Sequence, residues 1–169
     1  METRAVPKCR IDTGKISLIS AATDCRSVTS VKEIGQAMVS MRLASSLLAA
    51  DIAKKIKTHT STISRYENGR FSFEQADLDM LQRYAIACGK NKYSLFTDYL
   101  LFRKFHKLVL QAYIEEHNIT KTDMAKTLGV SKTLVLSWFN KENRCPGFKL
   151  WEEKLKEFTG RWLTENIIE

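Results

Sequence analysis

The chain has 169 residues, 44% of them hydrophobic, enough for one ordinary domain or two small ones. No apolar run approaches the roughly 18 residues that a membrane span needs, and the opening residues lack the apolar stretch of a secretory signal, so a soluble, cytoplasmic protein with no membrane partner is expected. Lys and Arg number 27 against 19 acids, a net charge of +8 that suits a polyanionic partner, nucleic acid foremost, but carries little weight without a motif.

In chain order, residues 1–30 stand apart. They hold Pro7, Gly14 and many Ser and Thr, with five basic and three acidic residues and no helical period. They are expected to form a short irregular arm. Residues 15–20 alternate loosely and admit one short strand. From residue 31 the pattern turns helical. Ile34, Ala37, Met38 and Met41 fall on one helix face. Ile52, Ala53 and Ile56 mark a short second helix. Ile63 and Tyr66 mark a third, stopped at Asn68 and Gly69, where glycine supplies a left-handed cap. Ser72, Phe73, Glu74 and Gln75 read as a capping box that opens a fourth helix, with Leu78, Leu81, Ala85 and Cys88 inside and Gly89 as its end.

No Gly or Pro occurs between Gly89 and Gly129. Residues 94–117 are dense in Leu, Phe and Tyr, which predicts one continuous helix joining two domains, or two helices with a break near 102–104. Thr120 to Asp123 is then a cap before Met124, Ala125 and Leu128. Gly129, Val130 and Ser131 make a turn ending in a good N-cap residue. Leu134, Val135 and Trp138 line the next short helix. Pro146 and Gly147 form a loop, and Trp151, Leu155 and Phe158 predict a helix ending at Gly160. Trp162, Leu163, Ile167 and Ile168 can pack back as a last turn.

The two halves superpose at one offset. Residues 52, 53, 56, 63 and 66 pair with 124, 125, 128, 135 and 138, all 72 apart and all apolar. Such a shared frame predicts tandem copies of one supersecondary unit. In each copy a small residue, Ala53 or Ala125, lets a second helix cross the first. A branched residue, Ile63 or Val135, anchors that second helix. Its opposite face is left free to enter a major groove. The free face holds Thr60, Ser61, Ser64 and Arg65 in the first copy, and Lys132, Thr133, Leu136 and Ser137 in the second. Lys57, His59, Arg70 and Lys121 flank these faces and complete the candidate DNA contacts.

Residues 34–69 resemble the Cro/C1-type (Xre-like) helix-turn-helix of phage and plasmid repressors. Arg42, the segment 47–56 and the run Thr62, Ile63, Ser64, Arg65, Tyr66, Glu67, Asn68, Gly69 carry the match. The resemblance covers about residues 34–88. It implies a compact five-helix domain, a structural ion pair between Arg42 and Glu67, and base contacts from Thr60, Ser61 and Arg65. Three positions depart from the family: Ala49 replaces a frequent Gln, Lys57 a turn Gly, and His59 a Ser or Thr cap. Lys57 would then need a modified turn or a positive φ. The second copy, about 113–160, resembles the family more loosely through Ile119, Thr120, Ala125, Leu128 to Lys132, and Trp138. There Phe139 replaces the acidic partner of the ion pair.

The expected architecture is therefore all-α: an arm (1–30), a helix-turn-helix domain (31–93), and a linker helix with a second helix-turn-helix-like domain (94–169). Trp138, Trp151 and Trp162 are expected in the core. Cys9, Cys25, Cys88 and Cys145 make no C-x-x-C pair, and His59, His106 and His117 do not cluster with them. No metal site and no cofactor are expected, and reduced thiols are the simplest state, with a Cys9–Cys25 meeting left open. Paired carboxylates, phosphate loops and nucleophile elbows are missing, which argues against an enzyme.

The leading expectation is a sequence-specific, double-stranded-DNA-binding transcription regulator, more a repressor than an activator. The alternative is an antitoxin or phage/plasmid control factor whose second domain binds protein. The second copy is close to neutral, with 12 basic and 10 acidic residues in 96–169 against 10 and 6 in 31–95. That favours a homodimer whose first copies read DNA. The aromatic stretch 95–113, too rich for one helix face, and the second domain would supply the interface, although packing within one chain could use the same residues.

Overall fold

The computed structural model describes residues 30–141 and 144–166, and among these it contains nine α-helices and no strand. The chain is all-α. The possible strand at 15–20, any approach of Cys9 to Cys25, and the packing of Ile167 and Ile168 lie outside the described residues. None of the helices is long and apolar enough to cross a membrane.

Helix α1 (Val31–Ala44) starts where the Ser30 hydroxyl accepts the Glu33 N–H, and it buries Ile34, Gly35, Met38 and Met41. Helices α2 (Ala49–Lys55) and α3 (Thr60–Glu67) follow. Ser72 Oγ accepts the Gln75 N–H at 3.2 Å, so the expected capping box exists only as an isolated turn. Helix α4 (Leu78–Ala87) opens instead at Asp77, whose carboxylate accepts the Met80 N–H at 2.9 Å. The reason is packing: Phe73 and Ala76 are buried in that turn, and Asp77 N–H donates to the Tyr66 hydroxyl at 2.8 Å.

Of the two expectations for 94–117 the structure sits nearer the interrupted helix, with the interruption one residue beyond 102–104 and a later start. Residues 91–96 turn, and α5 (Asp98–His117) begins behind Thr97, whose hydroxyl accepts the Leu100 N–H. It then kinks at Phe105 (φ −115°, ψ 15°). No Gly or Pro stands there; at the kink His106 Nδ1 lies 2.9 Å from the Arg103 carbonyl, a side-chain contact within the helix ladder. Next come α6 (Lys121–Leu128), α7 (Lys132–Asn140), α8 (Phe148–Lys154) and α9 (Lys156–Asn166). The helix expected to stop at Gly160 is two helices broken at Leu155, and Gly160 lies inside α9.

The 72-residue offset holds in three dimensions. Ile52, Ala53, Ile56, Ile63 and Tyr66 are as buried as Met124, Ala125, Leu128, Val135 and Trp138. Helices α1 and α2 pack on α3 as α5 and α6 pack on α7. Ser46 and Asn118 share a left-handed backbone (φ 55° and 48°), as do Lys57 and Gly129 (φ 54° and 69°).

One apolar core runs through both halves. Leu95, Phe96, Tyr99, Leu100, Leu101 and Phe102 are all at most 1% exposed. Tyr99 meets Phe148 and Trp151 at 5.1 and 5.2 Å between ring centroids. The aromatic stretch is expected either at a subunit interface or in packing within one chain, and these six side chains pack within the chain.

Candidate nucleic-acid interface

The outward face of α3 is set by what its inward face must do. Ile63 is fully buried and Tyr66 is 2% exposed, so at 3.6 residues per turn Thr60, Ser61, Ser64 and Arg65 turn outward, and all four are exposed. Two glycines let α3 seat this deeply. A Cβ on Gly35 would stand 2.5 Å from the Glu67 carbonyl oxygen, so α1 can cross the end of α3 only there. Gly69 (φ +64°) turns the chain left-handed, and a Cβ on it would stand 2.8 Å from Lys32 Cα. Asn68 closes the helix by donating to the Ser64 carbonyl at 2.7 Å.

Beneath this face lies a charged knot. Arg42 Nε donates to Glu67 Oε1 at 2.7 Å and Nη2 to Oε2 at 3.0 Å, the bidentate fork that suits a guanidinium and a carboxylate. The two side chains are 15% and 9% exposed. Tyr84 places its hydroxyl 2.7 Å from Glu67 Oε1 and 2.9 Å from the Met38 carbonyl. Burial first, then the bond to Glu67, pushes the Tyr84 phenol well above its ordinary range. The Glu67 bond raises Arg42 further, against a smaller effect of burial. The resemblance implied Arg42 and Glu67 but not Tyr84. Its signal was there, three residues beyond Leu81 on the inner face of α4.

The flanking residues fall around the same face. Lys57, His59 and Arg70 are exposed. His59 is the α3 N-cap residue but makes no side-chain cap bond. Lys54 and Lys55, exposed at the end of α2, add positive charge that the sequence reading passed over.

The second copy repeats the scaffold with different chemistry. Ser131 caps α7 by accepting the Leu134 N–H at 3.2 Å. Lys132 and Thr133 are exposed, and Leu136 and Ser137 half-buried. The positions of Arg42 and Glu67 hold Ile114 and Phe139, both half-buried against the core. Lys121 lies over the Phe139 ring at 4.2 Å, so this candidate contact has an intramolecular partner. The distal face of α7 borders a groove of about 530 Å³ lined by Thr133, Leu136, Ser137, Asn140, Lys141 and Arg144, among others. No group of residues fit to hold a metal ion occurs among the described residues.

Compared with protein-family models, curated proteins and solved structures, the chain matches none.

Proposed function

We propose that this chain is a sequence-specific DNA-binding transcription regulator of Cro/C1-like type, acting as a repressor through the major groove. The observation that carries the reading is the α3 face: four exposed polar or cationic side chains on a helix whose other side is fully buried. A rigid helix of this kind delivers its residues to base edges in register. Arg65 can fork onto guanine N7 and O6, while Thr60 and Ser61 offer hydroxyls that donate or accept. Lys54, Lys55, Lys57 and Arg70 surround the face and fit phosphates, which position a protein without reading sequence. The Arg42–Glu67–Tyr84 knot stiffens the base of α3, so the face is ordered before it meets DNA.

Selection of bound duplexes from random DNA tests the reading. Against the selected sequence, Arg65→Ala, or Thr60→Ala with Ser61→Ala, should cost about 1–3 kcal/mol, while binding to random DNA changes little. Equal losses on both would show that these residues do not read bases.

A further inference from the structure

Resting on that DNA-binding reading of α3, we propose that α7 is a second DNA-contacting helix, and that one chain engages one duplex through both helices without a second copy. The first ground is the scaffold. The apolar frame and turn that aim α3 have counterparts for α7 at the same offset, namely the crossing Ala125, the anchors Val135 and Trp138, and the left-handed turn at Gly129, whereas Gly35 and Gly69 are replaced by Lys107 and Lys141. The turn and cap are better formed in the second copy, because Gly129 takes a positive φ without strain and Ser131 makes the cap bond that His59 does not. Loss of the acidic partner at Phe139 does not mark decay of the unit. An apolar pair, Ile114 and Phe139, with Lys121 over the Phe139 ring, occupies the place of the ion pair.

The second ground is charge. Helix α7 has no acidic residue. The groove beside it is flanked by Lys141 and Arg144, with Thr133, Ser137 and Asn140 offering hydrogen bonds and Leu136 a methyl contact.

The third ground is the junction. The connection after α3 meets the connection after α7: Phe73 stacks on Phe148 at 4.8 Å, and Glu74 Oε1 accepts the Phe148 N–H at 3.1 Å. Helix α5 holds both. Arg103 donates to the Phe73 and Ala76 carbonyls at 2.7 and 2.9 Å, and Tyr99 donates to the Pro146 carbonyl at 3.1 Å. These contacts tie the connection after α3 to the connection after α7, so the two helices are carried on one connected body. Once α3 is seated, α7 binds as an intramolecular second site, which raises affinity with no new association cost.

The experiment uses the full chain and the duplex that it selects from random DNA. Light scattering of the complex gives stoichiometry, and hydroxyl-radical footprinting gives the protected tracts. One chain per duplex with two protected tracts is expected. A variant carrying Lys132→Ala, Thr133→Ala and Ser137→Ala, shown to be folded by circular dichroism, should lose one tract and about tenfold or more in affinity, with a shallower salt dependence. Arg65→Ala should weaken the other tract. Two chains per duplex with only α3 at the DNA, or unchanged binding by the α7 variant, would overturn the proposal and leave the α3 reading standing. Failure to select any duplex would overturn both.

Discussion

Glu67 shows how one residue can hold a helix face from beneath. Its carboxylate receives two N–H donors from Arg42 and faces the Tyr84 hydroxyl, with only 9% of the side chain exposed. Deleting it would strand a guanidinium that is mostly shielded from water, and an unpaired charge there costs far more than the pair contributes. Glu67→Ala should therefore lower stability by about 2–4 kcal/mol, read from urea or thermal unfolding. The second half shows how the loss can be offset, since its counterpart positions are Ile114 and Phe139. Arg42→Ile together with Glu67→Phe should recover most of the stability lost by Glu67→Ala. Unfolding of the Glu67→Ala protein at the wild-type midpoint would show that the knot adds nothing.

Among elements, the two turns differ by one informative residue. Lys57 and Gly129 hold the same left-handed backbone, at φ 54° and 69°. A side chain in this region is strained by its Cβ against the following carbonyl. Lys57→Gly should accordingly stabilise the fold by about 0.5–1 kcal/mol, part of the relief being offset by the freer unfolded chain. Gly129→Ala should destabilise it by about 1 kcal/mol. A Cβ at Gly129 would meet nothing within 4 Å, so the backbone alone sets that cost. Equal stability of both variants with wild type, in denaturant titrations, would contradict the strain argument. The resemblance placed Lys57 where the family has a turn glycine and so left a modified turn or a positive φ, of which the structure has the second. The start of α4 was not legible in the sequence. Ser72 to Gln75 has the local chemistry of a cap and does form one bond of it. The helix begins five residues later because Phe73 and Ala76 are drawn into the core and Arg103 holds their carbonyls. Those contacts come from α5, so no local pattern announces them. The break at Leu155 escaped for a like reason: Trp151, Leu155 and Phe158 keep helical spacing on both sides of it. On α3, by contrast, the exposed face was readable because burying Ile63 and Tyr66 leaves Thr60, Ser61, Ser64 and Arg65 nowhere else to point.

At the scale of the whole molecule, the halves are joined through a core that includes a histidine. His106 stands where the first half has Ile34, 72 residues earlier, and is only 5% exposed. Its Nδ1 lies 2.9 Å from the Arg103 carbonyl at the α5 kink, and its Nε2 lies 3.1 Å from the Trp138 carbonyl on α7. The neutral ring can donate to one of these carbonyls, and only the imidazolium can donate to both. That favours proton uptake, but burial opposes it more strongly, aided by the positive charges of Lys107 and Arg103, so the His106 pKa falls below its ordinary value. The sign then follows. As pH drops below about 6.5 the unfolded chain takes up a proton that the folded chain resists. Stability is full above that value and declines as pH falls toward the folded-state pKa, by at most about 1.4 kcal/mol per pH unit from this group. Because one core serves both halves, the loss should appear in a single unfolding transition and not in the second half alone. His106→Ile, which installs the first half's own residue, should flatten the pH dependence of the unfolding midpoint between pH 7 and 5 relative to wild type. The measurement is a set of thermal melts across that range for both proteins. Stability that rises on acidification in the wild type would mean that the two carbonyls outweigh burial.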